Sequence, residues 1–378
     1  MKDLKEKNET KDKYAVRPIV GEKRAFATGN EVVAWAALAA DADIMYGYPI
    51  TPQNEIMHYW TRMSEKYGRG FLQTEDETSA GFTTLGGVLA GRRSFTATSG
   101  PGNMLMQESM CMAEMMRLPT VMIVQQRGGP STATVIYSQQ EVNLTCFGGN
   151  GEGFRIVYST CSHQELFDYT INAFNVAWTH RFPVFVLGDG YQAKMREPVT
   201  MYDPRDKGIT MVPTEPYVLK EGCAGVDREP QQMRNTYNTE EELNEVVEGL
   251  NAAYQAVIPQ VVKHEEYACE DADYVIVAHG VVTRAAQAAV EYFREKGLKV
   301  GHFRPVTLRP FPGEAFRPIA DRAKKILVAE SALGQMRRIM TDTIYGCSTP
   351  MVNFFKPGEG ISTEEIIVKV EEMMAEDK

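Results

Sequence analysis

The chain has 378 residues, a formal net charge of −10, 43% hydrophobic and 24% charged residues; this is ordinary globular composition, which excludes disordered and collagen-like chains and argues against a nucleic-acid footprint. No apolar run approaches the roughly 20 residues that span a bilayer, and residues 1–24 form a mixed-charge arm without a signal-peptide core, so a cytoplasmic protein with no membrane span is expected. Cys111, Cys146, Cys161, Cys223, Cys269 and Cys347 show no C-x-x-C spacing, so any metal cluster belongs to another chain.

After the arm, a helix is predicted over 31–40, on Val32, Val33, Trp35, Ala36 and Ala39. The apolar strand 43–46 then meets Tyr48-Pro49-Ile50-Thr51-Pro52, whose prolines keep the backbone extended. Thr51 is expected to cap the next helix with its hydroxyl and Pro52 to occupy the first helical position, ahead of the stripe Ile56, Met57, Tyr59, Trp60 and Met63. A short strand over 71–74 meets Glu75-Asp76-Glu77, and an Ala/Gly-rich helix over 78–90 follows. The strand 94–97 is broken by Ser99-Gly100-Pro101-Gly102, which leads into a methionine-heavy helix over 103–116. The strand 120–125, wholly apolar over Val121-Met122-Ile123-Val124, ends at Arg127-Gly128-Gly129-Pro130. Strands 154–157 and 184–187 with helix 164–178 complete an alternation that means an α/β fold built on a doubly wound parallel sheet.

Gly188-Asp189-Gly190 invites a metal-bound thiamine motif, but the next asparagine is Asn235, too far away, so the segment reads as a strand-end turn. Residues 202–235 carry Pro204, Pro213, Pro216 and Pro230 without periodicity and read as a linker or surface excursion. An amphipathic helix over 240–257 leads to a second, smaller α/β unit with strands at 274–278, 299–303 and 325–329, helices at 283–296 and 316–323, and a final helix after Gly334. The expected partition is therefore an arm at 1–24, a first domain at 25–201, a linker and connecting helix at 202–265 and a second domain at 266–378.

Ligands of open parallel sheets bind beyond the carboxyl ends of the strands. Four polar or glycine-rich turns converge there, carrying Thr51, the three acids, Ser99-Gly100-Pro101-Gly102 and Arg127. Gly100 and Gly102 are expected to let backbone approach a flat ring, and Arg127 to form a bidentate pair with a carboxylate. The alternative for Arg127 is an ion pair with Glu75 or Asp76. The six histidines show no metal-ligand spacing.

Tyr48-Pro49-Ile50-Thr51-Pro52, Gln73-Thr74-Glu75-Asp76-Glu77, Thr98-Ser99-Gly100-Pro101-Gly102 and Gln126-Arg127-Gly128-Gly129-Pro130-Ser131-Thr132, in that order, resemble the alpha subunit of 2-oxoacid:ferredoxin oxidoreductases. The resemblance implies a thiamine-diphosphate pyrimidine-binding domain followed by a transketolase C-terminal-like domain. The Ser-Gly-Pro-Gly turn is also similar to the pyrimidine-binding domain of acetolactate-synthase-like thiamine enzymes. In such domains the catalytic glutamate is followed by Ala, Gly and an Ala-Gly pair at fixed steps along a helix; counting from Glu77 meets Ala80, Gly86, Ala90 and Gly91, whereas Glu75 meets none of them. Glu77 is thus the implied catalytic acid, with Glu75 in reserve.

The implied activity is oxidative decarboxylation of a 2-oxoacid with coenzyme A to acyl-CoA, CO2 and reduced ferredoxin, with Thr51 and Arg127 serving the substrate. Pro49, Ile50, Ser99, Gly100 and Pro101 join Glu77 around thiamine diphosphate, which is shared with a diphosphate-binding beta subunit. Mg2+ and [4Fe-4S] clusters fall to partners, among them gamma and ferredoxin-like subunits. The loop Ala133-Thr134-Val135-Ile136-Tyr137-Ser138-Gln139-Gln140 is more apolar than in many relatives and lacks their lysine, leaving 2-oxoglutarate, branched-chain and aryl 2-oxoacids open. A noncatalytic scaffold or binding subunit is the alternative.

Overall fold

Runs such as Val121-Met122-Ile123-Val124 and Val184-Phe185-Val186-Leu187 are apolar on both strand faces, the pattern of a strand covered on two sides. In the computed structural model, which describes residues 16–218, 229 and 231–377, these runs are the centre of a seven-stranded sheet. Its order is Thr307–Arg309, Ile156–Ser159, Val184–Asp189, Val121–Gln126, Ser94–Thr98, Ile44–Gly47 and Gly70–Gln73, all parallel except the first. Residues 1–15 of the expected arm, and the part of the expected linker that holds Cys223 and Pro230, lie outside the described residues.

Alternation sorts the side chains. Val121, Ile123, Val184 and Val186 join a core with the helices Gly29–Ala39, Asn54–Ser64 and His163–His180, while Met122, Val124, Phe185 and Leu187 pack with Ala80, Met106 and Met110 on the other face. The sheet is therefore doubly wound, as the alternation of elements predicts. A second sheet of five strands runs Met351–Phe355, Lys325–Glu330, Tyr274–Val277, Val300–Pro305 and His264–Tyr267, parallel except for the last. The helices Val282–Glu295 and Thr363–Ala375 cover one of its faces, through Ala286, Val290, Ile366 and Val370.

Several local expectations are corrected. Thr51 does not cap a helix: the next helix is Asn54–Ser64, its first turn follows Gln53, and Pro52 follows a cis bond outside the helix. The helix expected over 103–116 is two, Pro101–Leu105 and Gln107–Met116. The helix Gln335–Thr343 is not the last, since Met351–Phe355 and Thr363–Ala375 follow it. Ile366, Val370 and Met373 carry a helical period that the sequence reading overlooked, and all are buried.

The two expected units are knitted together. Thr307–Arg309, from the second, is an edge strand of the first sheet, and the long helix Glu240–Val261 buries Leu250, Tyr254, Val257 and Val261 in the first core. The arm and the linker are tied down where they are described. Lys23–Thr28 pairs antiparallel with Arg196–Met201, Arg17 bonds Asp203 at 2.7 Å, and Tyr217 is buried with its ring stacked on Trp178.

Candidate functional site

The carboxyl ends of Ile44–Gly47, Gly70–Gln73, Ser94–Thr98 and Val121–Gln126 point the same way because the strands are parallel, so the four turns after them share one sheet edge. Among the three acids the burial differs sharply. Glu75 and Asp76 are exposed, while Glu77 is 6% exposed. Asp76 explains why: it caps the helix Glu77–Leu89, its Oδ1 accepting from the Ser79 N–H at 2.7 Å, so Glu77 enters the first turn and swings inward. Burial raises the Glu77 carboxyl above its ordinary range, and neighbouring Asp76 adds to this while Arg127 opposes it.

The Glu77 carboxylate lies against Gly102, where a Cβ would stand 2.7 Å from Glu77 Oε1 and would also strike the Thr98 hydroxyl. Thr98 Oγ1 and Ser99 Oγ are buried with no hydrogen-bond partner among the described residues. Gly100 has φ +50°, a backbone conformation glycine tolerates, and a Cβ there would come 2.6 Å from Arg127 Nε. The Cβ directions of these glycines point at Arg127, at Glu77 and at Thr98, so a side chain at either position would strike polar groups of the same edge. The glycines are needed so that charged side chains can lie flat against the turn.

Arg127 is 4% exposed. Its Nη1 donates to the Thr51 carbonyl at 2.8 Å, its Nε has no partner, and among the described residues it forms no ion pair with Glu75 or Asp76. Burial lowers its pKa, with Glu141 and Glu77 pulling the other way. Thr51 is half-buried and serves Arg127 through its carbonyl. Pro49 is exposed and Ile50 half-buried beside it. Gln53 Nε2 donates to the Tyr48 carbonyl at 2.9 Å and Asn30 Nδ2 to that of Pro52 at 2.7 Å, fixing the extended segment.

Glu141 is a site residue that reading the sequence missed. A lone acid ahead of the short helix Val142–Phe147 resembles an ordinary helix start, and nothing in its spacing distinguishes it. Folded, it is 4% exposed, and its Oε1 accepts from the backbone N–H of Gly100 at 2.8 Å and of Arg127 at 2.9 Å. Asn103 Nδ2 reaches its Oε2 at 3.0 Å. Asp189, read as part of a strand-end turn, ends its strand and caps the helix Gly190–Lys194, accepting from Tyr191 N–H at 2.8 Å and Gln192 N–H at 3.1 Å; burial pushes its carboxyl up to about 7.

The loop after Arg127 has two parts. Ser131–Ala133, Val135 and Ile136 are exposed at the edge, whereas Tyr137–Gln139 are buried and grip the second sheet. Gln139 Nε2 donates to the His279 carbonyl at 2.8 Å, Gln139 N–H to that of Ser331 at 3.1 Å, and Tyr137 and Ser331 share a hydroxyl contact of 2.8 Å. Among the described residues no cluster of His, Cys, Asp and Glu could hold a metal ion, and no helix is long and apolar enough to cross a membrane.

With this geometry in place, the comparisons with known proteins are specific. Residues 35–266 match the thiamine diphosphate-binding domain of pyruvate flavodoxin/ferredoxin oxidoreductase, and residues 272–366 match pyruvate:ferredoxin oxidoreductase core domain II. The ketoisovalerate oxidoreductase subunit VorB of Methanothermobacter marburgensis is 34% identical over 349 residues, 92% of this chain and 97% of that subunit. The 2-oxoglutarate synthase subunit KorA of Methanothermobacter thermautotrophicus is 34% identical over 332 residues, 82% of this chain and 88% of that one. A solved 2-oxoglutarate:ferredoxin oxidoreductase from Magnetococcus marinus superposes with a TM-score of 0.81 at 26% identity, covering 92% of this chain and 65% of that one. A split-gene transketolase, at 14% identity and a TM-score of 0.59, shares the fold. A sheet edge that buries Glu77 beside an Arg127 guanidinium with no ion pair among the described residues, on a chain matched along most of its length in this way, identifies the protein as a member of the pyruvate flavodoxin/ferredoxin oxidoreductase family.

Proposed function

We propose that this chain is the subunit of a 2-oxoacid:ferredoxin oxidoreductase that holds the pyrimidine side of thiamine diphosphate and the carboxylate of the substrate. The observation that carries the reading is the pairing, on one sheet edge, of buried Glu77 with an Arg127 that has no ion-pair partner among the described residues. The residues fit the cofactor: the unpartnered Thr98 and Ser99 hydroxyls and the close-packed Gly100 and Gly102 offer a polar cradle, with Pro49, Ile50 and Pro101 as its apolar rim. Thiamine diphosphate, when bound, supplies the carbon nucleophile and the electron sink for loss of CO2.

Glu77 holds a proton at the aminopyrimidine ring nitrogen, a task suited to a carboxyl whose pKa burial raises. Arg127 receives the 2-oxoacid carboxylate in planar, charge-assisted contact, and the Thr51 carbonyl fixes the guanidinium's orientation. The overall reaction takes a 2-oxoacid and coenzyme A to acyl-CoA and CO2, its electrons leaving to ferredoxin. Diphosphate, Mg2+ and [4Fe-4S] clusters are assigned to a beta subunit and to gamma and ferredoxin-like subunits. Exposed Met104, Leu105, Val135 and Ile136 around this edge suit a surface covered by a partner.

The test is the co-purified complex assayed against a panel of 2-oxoacids with coenzyme A and a viologen dye. Dye reduction that needs both substrates and is lost in Glu77→Gln supports the reading. An assembled complex that turns over normally with Glu77→Gln would make the chain a scaffold.

A further inference from the structure

Glu141 is a buried acid that ties together two turns of the proposed ligand edge. Its carboxylate is buried, and a buried carboxylate is tolerated only when its oxygens are filled with donors. The donors are telling. Oε1 accepts at once from the N–H of Gly100, at 2.8 Å, and of Arg127, at 2.9 Å. Those residues belong to separate turns, after separate strands, and each carries part of the ligand edge. One oxygen therefore sets the spacing between the Ser99-Gly100-Pro101-Gly102 turn and the root of the Arg127 side chain. The same guanidinium lies on Gly100, where a Cβ would come 2.6 Å from Nε.

Behind Glu141 the support is polar and continuous. Asn103 Nδ2 bonds its Oε2 at 3.0 Å and also Thr145 Oγ1 at 3.0 Å; Gln107 Nε2 bonds Asn103 Oδ1 at 2.8 Å; Arg155 Nη1 bonds Gln107 Oε1 at 2.8 Å, and Arg155 is itself paired with Glu114. Asn103, Gln107, Arg155 and Glu114 are all buried. A chain of this kind fixes the carboxylate in one place.

From this geometry we infer that Glu141 is a positioning residue for the oxidoreductase reaction: it acts through Arg127 and Gly100, setting the distance between the bound 2-oxoacid carboxylate and the cofactor. The inference rests on the function proposed above. With both oxygens taken by protein donors, Glu141 is assigned no contact with substrate or cofactor. A shift in the Arg127 root moves the substrate while leaving Glu77 in place, so the two residues affect different steps.

The experiment uses the full complex carrying Glu141→Gln, which keeps the shape but removes the charge and offers only one acceptor oxygen. The KM for the 2-oxoacid is expected to rise on the order of tenfold, the loss of a charge-assisted hydrogen bond read as affinity. The KM for coenzyme A and the exchange rate of the cofactor's thiazolium C2–H, followed by NMR, are expected to stay within about twofold of wild type. Combining Glu141→Gln with Arg127→Lys is expected to raise the 2-oxoacid KM by less than the product of the single effects, because both act on one guanidinium. An unaltered 2-oxoacid KM, effects that multiply independently, or C2–H exchange lost in step with KM would each overturn the inference. If Glu141→Gln fails to assemble, Asn103→Ala leaves the two backbone bonds to Oε1 intact. A rise of about threefold in 2-oxoacid KM alone is then expected, and no change overturns the proposal. A wild-type complex that oxidises no 2-oxoacid would instead sink the underlying function, so the two failures are distinguishable.

Discussion

The carboxyl edges of the two parallel sheets hold the same kinds of residue and use them differently. At the second sheet, Glu330 is buried with both oxygens taken, accepting from Met336 N–H at 2.9 Å and Arg337 N–H at 3.2 Å, and Arg304 is paired with Glu165 and Glu265. At the first sheet, Glu77 is buried against Gly102, and the Arg127 guanidinium meets the Thr51 carbonyl and, among the described residues, no carboxylate in an ion pair. One edge has satisfied its charges internally and serves to join the two halves of the molecule. The other leaves the Glu77 carboxyl and the Arg127 guanidinium without an ion pair among the described residues, which suits the proposed ligand site. Buried charge marks a ligand site only where its local partners are missing.

Four outcomes bear on this contrast. The largest is kinetic. Glu77→Gln should slow turnover and C2–H exchange by about two to four orders of magnitude, the usual worth of a positioned acid or base, whereas Glu75→Gln should leave exchange at the wild-type rate. Loss of exchange on changing Glu75 would show that the exposed acid is the working one. Next is stability at the other edge. Arg304→Leu strands Glu165 and should cost about 3 kcal/mol in chemical denaturation, with the 2-oxoacid KM of the surviving complex unchanged.

Arg127→Lys should invert that pattern. Lysine cannot reproduce a planar bidentate contact, so losing a charge-assisted bond worth about 1.5–3 kcal/mol should raise the 2-oxoacid KM about ten- to a hundredfold, with the melting temperature and the KM for coenzyme A unchanged. A fall in melting temperature with normal KM would make Arg127 a structural ion pair. The smallest effect depends on pH. Burial raises the Glu77 carboxyl in the folded state, so its ionisation costs folding stability as pH rises through that raised value, and below the ordinary carboxylate range the cost is absent. Glu77→Gln in the cofactor-free complex should therefore melt higher at neutral pH, on the order of 2 °C, with the gain disappearing in acid. A gain that grows toward acid pH would contradict the assigned sign.

Much of the fold was legible because both-face burial writes itself as unbroken apolar runs, as in Val121-Met122-Ile123-Val124, and because Gly and Pro punctuate their ends. Strands without that signature were missed. Thr307–Arg309 is three residues long, and His264–Tyr267 is an exposed, charged edge, so each owes its conformation to a neighbouring strand. Thr51 was misread for a related reason. The Ile50-Thr51-Pro52 pattern is a good helix start in isolation, but Arg127 Nη1 bonds the Thr51 carbonyl and the helix begins later. Helix register favours Glu77 over Glu75; in the fold Glu77 is buried behind the Asp76 cap and Glu75 is exposed, a difference the sequence does not show.

By itself, the sequence determined the alternation of strands and helices, and hence a parallel sheet whose polar turns gather at one edge, because hydrophobic period and chain breakers are local properties. The linear order of the turns around Thr51, Glu77, Gly100 and Arg127 was likewise readable. Only the tertiary structure decided what each charge meets. Glu141 lies far along the chain from Gly100, yet one of its oxygens holds Gly100 and Arg127 together. The Arg304 guanidinium pairs with two acids, and that of Arg127, among the described residues, with none. Such pairings depend on which strands lie side by side and on which donors are shut away from water, and burial makes a missing partner costly only once the chain has closed around it.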